Sequence, residues 1–94
     1  MMPTTTKAVY KFPIPMKGSC FSLMLPKGWK FLSVIVNDNP CGVRPHLWAE
    51  CVDGMAKEQV DFALFGTGQE IPMTATYLTS YVVGPFNYHL YKLN

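Results

Sequence analysis

The chain has 94 residues, 49% apolar and only 15% charged. That length fits one domain, taken as residues 1–94 with 1–6 flexible, and the composition excludes intrinsic disorder, which needs low hydrophobicity and high charge. The net charge is +2, with Lys7, Lys11, Lys17, Lys27, Lys30, Arg44, Lys57 and Lys92 spread along the chain. A single arginine argues against sequence-specific DNA binding, because bidentate base and phosphate contacts rely on that side chain.

No apolar run approaches the roughly 18 to 20 residues that span a bilayer, so no membrane partner is expected. The start, Met1 to Thr6, lacks the charged and apolar segments of a signal peptide, and an odd set of cysteines, Cys20, Cys41 and Cys51, suits a reducing compartment. The expected location is therefore intracellular. So many apolar side chains in so small a domain also lead us to expect an exposed apolar patch.

Period-two alternation bounded by Gly, Pro, Asn and Asp recurs about every ten residues, which is a β signature. The first strand is Lys7 to Phe12, with Ala8, Tyr10 and Phe12 on one side, ended by Pro13 and Pro15. The second, Cys20 to Leu25, closes at the turn Pro26-Lys27-Gly28. The third, Trp29 to Val36, is apolar on both sides, Leu32, Val34 and Val36 against Phe31 and Ile35, and so is expected to be central and covered twice. Asn37 to Pro45 is turn-rich and reads as a surface loop.

His46 to Val52 follows, with Leu47, Ala49 and Cys51 on one face and His46, Trp48 and Glu50 on the other. After the Asp53-Gly54 turn, Lys57 to Phe65 alternates again, then breaks into Gly66-Thr67-Gly68. Tyr77 to Val83, a Gly84-Pro85 turn and Phe86 to Lys92 read as a hairpin. A short helix is placed within Thr74 to Thr79 or Met55 to Gln59. The expected fold is all-β, or α+β with one short helix: a β-sandwich or partly open barrel of about seven mostly antiparallel strands.

Chemistry is sparse. Cys41-x4-His46-x4-Cys51 lacks the closely paired ligands of a zinc knuckle, so no metal or other cofactor is expected. His46 and His89 are the two histidines, with no nucleophile elbow and no acid placed beside either; no catalytic residue is assigned and an enzyme is not expected. Gly66-Thr67-Gly68 could form an anion nest, but Ile71-Pro72 follows in place of a helix, and a strand-exit turn is the plainer reading. The candidate ligand- or partner-binding residues are Arg44, His46 and Trp48, the block Gly66, Thr67, Gly68 and Gln69, and Tyr77, Tyr81, His89 and Tyr91. Their aromatic faces suit base stacking or a protein interface, although Trp48 could equally belong to a sandwich core.

The ordered motifs VYKFPIP, LPKGWKFLSVIV, PHLWAECVD, FALFGTGQEIP, TYLTSYV and YHLYKL resemble a family of small proteins of unknown function encoded mainly by bacteriophages and prophages. Its members run through a Tyr-Lys-Tyr/Phe-Pro start, a Met-Pro-Lys-Gly-Ala turn, a Leu-Trp-Ala strand, a Phe-Gly-Thr-Gly block and a closing Trp/Phe-His-x-Tyr/Phe strand. This chain departs from them with Trp29 for an alanine, Gln69 for a frequent histidine, and a longer Asn37 to Arg44 loop. The resemblance implies a phage accessory protein in the cytoplasm of an infected bacterial host. Three expectations follow: a non-enzymatic, homo-oligomeric binding module that inhibits a host defence component in the manner of an anti-CRISPR protein; a sponge for a nucleotide immune signal such as a cyclic dinucleotide or ADP-ribose derivative; or a minor virion or assembly protein.

Overall fold

Alternating apolar residues form strands because one face can be buried while the other stays wet, and the computed structural model, which describes residues 5–15, 19–39 and 42–94, shows seven of them. They are β1 (Lys7–Pro13), β2 (Cys20–Pro26), β3 (Lys30–Asn39), β4 (Gly42–Val52), β5 (Lys57–Phe65), β6 (Thr76–Val83) and β7 (Phe86–Lys92). All pairings are antiparallel. One sheet has the order β1-β4-β3 and the other β2-β5-β7-β6. The fold is thus all-β, in two sheets without a closed barrel, and no helix occurs among the described residues.

The two sheets share one core. Leu47, Ala49 and Cys51 of β4 project into it, together with Leu25 of β2, Val60, Phe62 and Leu64 of β5, Tyr81 and Val83 of β6 and Leu90 of β7. Phe62 is fully buried, stacked on Phe21 with ring centroids 5.3 Å apart and meeting Trp29 edge-on at 5.9 Å. Full burial of such a side chain contributes about 1.5–3 kcal/mol. Leu25, Leu47 and Leu90 are likewise fully buried, so both sheets contribute to the core, the four-stranded one more of it.

Several expectations change here. The third strand is not central: β3 is the edge of its sheet and β4 lies in the middle. A register shift between Phe31 and Ser33 also interrupts its alternation. Phe31, Val34 and Val36 pack against the core, while Leu32 and Ile35 are exposed. A bulge adds one residue to one strand and so exchanges the faces beyond it.

The Asn37 to Pro45 loop is also much shorter than expected. Asn37, Asp38 and Asn39 pair with Arg44, Val43 and Gly42, so the β3–β4 ladder continues to the hairpin tip. Turn-forming residues there are overridden by the ladder. Pro45 is tolerated inside β4 because it lies one position beyond the last β1 pair, where its carbonyl still accepts from Ile14 N–H at 3.0 Å. Neither proposed helix forms: Thr74 lies in a turn that leads into β6, and 55–56 is irregular chain before β5. Cys41 and the start of the segment expected to be flexible, 1–4, lie outside the described residues.

Candidate functional site

Since inward residues of β4 alternate with outward ones, His46, Trp48 and Glu50 face away from the core, as do Arg44 and Val52. Trp48 sits in the central strand of its sheet, directly across from Lys11 of β1 and Ser33 of β3. His46 lies between Pro13 and Ile35, and Glu50 between Val9 and Lys30, with its carboxylate 3.0 Å from Lys7 Nζ. Around Trp48 three apolar side chains are open to solvent, Val9 at 50%, Leu32 at 41% and Ile35 at 43% exposure. Trp48 Nε1 and His46 Nδ1 are shielded yet have no hydrogen-bond partner. His46 and Cys51 are on opposite faces of the same strand, so they cannot converge on one metal ion.

On the other sheet a second cluster forms on the outward face. Phe65 pairs with His89, Ser80 with His89, and Tyr77 with Tyr91, so that β5, β6 and β7 bring these side chains together. Tyr77 Oη lies 2.8 Å from Ser80 Oγ, Ser80 Oγ 2.7 Å from His89 Nδ1, and His89 Nε2 3.1 Å from Thr67 Oγ1. A neutral imidazole donates at one nitrogen and accepts at the other, so the Tyr77–Ser80–His89–Thr67 chain is satisfied in either direction. Tyr91 meets Phe65 and Tyr77 edge-on, each with centroids 5.4 Å apart. Thus FGTGQEIP and YHLYKL, far apart in sequence, meet through Thr67 and His89.

The glycine block shapes this contact. Gly66 N–H donates to Gln69 Oε1 at 2.9 Å, and Gln69 N–H donates back to the Gly66 carbonyl at 3.1 Å. The turn is therefore closed by its own glutamine, and an anion nest would lack its first donor. Gly68 has φ +85, a conformation that a Cβ disfavours, whereas Gly66 has no such requirement and a Cβ there would meet only Gln69 Oε1 at 3.8 Å. Gly68→Ala is expected to cost roughly 1–2 kcal/mol in urea unfolding, and Gly66→Ala no more than about 0.5 kcal/mol. Equal losses would contradict this account of the turn.

The candidate residues thus divide. Gly66, Thr67, Gly68, Gln69, Tyr77, His89 and Tyr91 belong to the second cluster, and Arg44, His46 and Trp48 to the opposite outer face. Tyr81 belongs to neither, correcting its assignment: it is 9% exposed in the core beside Tyr88, with centroids 5.6 Å apart. Burial, helped by Tyr88, pushes its phenol up to about 12. A raised folded-state value gives stability that is complete below the ordinary tyrosine range and lost as pH climbs from there toward 12. Wild type should lose roughly 2–3 kcal/mol more than Tyr81→Phe between pH 10 and 12 in urea titrations. Identical pH profiles would put Tyr81 outside the core.

Ser80 and Phe65 were not singled out from the sequence. Three residues apart, Tyr77 and Ser80 fall on opposite faces of a regular strand; the register shift between Tyr77 and Thr79 puts them on one. Elsewhere, Ser22 and then Gln59 hydrogen-bond Asp61 and hold its carboxyl below the usual aspartate value, while burial, then Asp53, pushes the Cys51 thiol up. Cys51 is thereby kept as a protonated core thiol.

A family model described as a domain of unknown function, DUF7352, matches residues 5–94. The chain belongs to the DUF7352 family. No curated protein and no solved structure matches it. The DUF7352 match spans both sheets, the Trp48 face and the Thr67–His89 cluster, so each belongs to the same family unit.

Proposed function

We propose that this DUF7352 chain is a non-enzymatic binding module, an accessory protein of phage origin that docks on a host bacterial protein and inhibits it, with defence components the target class. The observation that carries the reading is the outer face of the β1-β4-β3 sheet. Trp48 stands at its centre among exposed Val9, Leu32 and Ile35, where a solvent-facing sheet ordinarily carries polar residues. Tryptophan ringed by smaller apolar groups is the composition of an interface hot spot. The unpaired Nε1 of Trp48 and Nδ1 of His46 add to this, because a partner acceptor reached by a rotamer change would satisfy groups that the free protein leaves unpaired.

The nucleotide sponge would combine Trp48 and Arg44 with the Gly66–Gly68 backbone. In one chain these lie on opposite outer faces, so the site would require two copies, and the second cluster's named residues include neither lysine nor arginine. Two measurements separate the readings. Capture from host lysate, with wild type, Trp48→Ala and Thr67→Val as baits, should retain a protein with wild type and Thr67→Val that Trp48→Ala loses. A thermal shift with cyclic dinucleotides or ADP-ribose would instead support the sponge, since stabilisation follows ligand occupancy of the native state. A host protein retained equally by all three baits would overturn the assignment to the Trp48 face.

A further inference from the structure

The two outer faces of the sandwich differ in charge. Residues directly opposite in an antiparallel pair project to the same side. Lys11 across from Trp48, Lys30 across from Glu50, Lys7 across from Val52, and Arg44 therefore all stand on the outward face of the β1-β4-β3 sheet, and all four are exposed. Among the described side chains that face carries these four cations and one acid, Glu50, a formal net of +3. Along the strands of the other sheet the outward cation Lys57 is offset by Asp61 on the same side of β5.

The cations on the first face lie against its apolar centre. Lys11 flanks Trp48 directly, and Lys30 lies one pair further along β4, opposite Glu50. The Glu50 carboxylate is taken by Lys7, and neither Lys11 nor Lys30 makes an ion pair among the described residues. Interfaces place opposite charges against each other, because like charges brought together there oppose docking. The partner that suits this face is therefore an anion.

A single-stranded nucleic acid is one such anion, but it stacks successive bases on a series of aromatic side chains. Trp48 is the one Trp, Tyr or Phe on this face among the described residues, and its exposed neighbours Val9, Leu32 and Ile35 are aliphatic. Aliphatic groups offer no stacking plane. They fit the apolar patch of a protein.

We propose that the partner of the Trp48 face is an acidic protein surface, with an apolar socket for Trp48 bordered by carboxylates that meet Lys11 and Lys30. This rests on the protein-docking reading of the same face and adds the partner's charge.

A displayed library of random dodecapeptides, selected on the full chain at low ionic strength, provides the probe. Selected peptides should need Trp48 and be enriched in Asp and Glu over the starting library. Replacing those acids by their amides should weaken binding at least about tenfold, and the double variant Lys11→Gln, Lys30→Gln should slow association about three- to tenfold. Lys57→Gln, on the opposite outer face, should associate as wild type does. High salt should remove the difference between wild type and the double variant. Peptides that need Trp48 but show no excess of acids would refute the acidic partner and leave the docking reading standing. Peptides indifferent to Trp48→Ala, or a library that yields no binder, would count against both. Trp48-dependent binding of a thymidine oligonucleotide, tighter than that of any selected peptide, would make the face a nucleic-acid site instead.

Discussion

Phe62→Ala is expected to remove about 3–5 kcal/mol of stability, the loss seen when a large core aromatic is truncated and its cavity does not collapse. Phe62 is fully buried in β5, stacked on Phe21 and met edge-on by Trp29. Phe21 cannot fill the gap without breaking the register of β2, and Trp29 is held in the β2–β3 turn by its N–H bond to the Pro26 carbonyl. Small domains are stable by only about 5–15 kcal/mol, so the variant should unfold at a much lower urea midpoint or fail to fold. Phe86 supplies the comparison. It is 61% exposed at the β6–β7 turn, and Phe86→Ala should change stability by no more than about 0.5 kcal/mol. Urea denaturation monitored by circular dichroism checks both, and similar losses would contradict a core shared by the two sheets.

Trp48→Ala is expected to have the largest effect on binding. A central interface tryptophan typically accounts for 2 kcal/mol or more, so the dissociation constant for a partner held by the Trp48 face should rise at least about 30-fold. The fold should survive, because Trp48 lies on the outward side of β4 while Leu47 and Ala49 on either side remain buried. Titration calorimetry with the purified captured protein gives the affinity, and circular dichroism confirms the fold. Thr67→Val, on the opposite face, should bind as wild type does. Full affinity in folded Trp48→Ala would show that the partner docks elsewhere.

The rule behind the readable part of the fold is simple. Where a strand alternates regularly, one face must be apolar, and so Ala8, Tyr10 and Phe12 of β1 and Leu47, Ala49 and Cys51 of β4 could be assigned to one side from the sequence. The β6–β7 hairpin was equally plain, because Gly84-Pro85 separates two alternating runs. Bulges broke the same rule. The shift at Phe31/Ser33 turned Phe31 to the core side along with Val34 and Val36, so that an alternation that looked apolar on both faces serves one, and the shift at Tyr77/Thr79 placed Ser80 beside His89. Neither irregularity has a local signal in residue type, since a bulge is fixed by the partner strand it must match.

Taken alone, the sequence determined the class of the fold, the positions of most strands and which residues of β4 share a face, because strand periodicity is local. Tertiary structure alone decided the rest. Pairing across sequence separations of several tens of residues put β4 between β1 and β3, joined Thr67 to His89, sent Tyr81 into the core, and set Trp48 on a face opposite the glycine turn. Alternation fixes which residues share a face, but only the packing of one sheet on the other decides which face is wet.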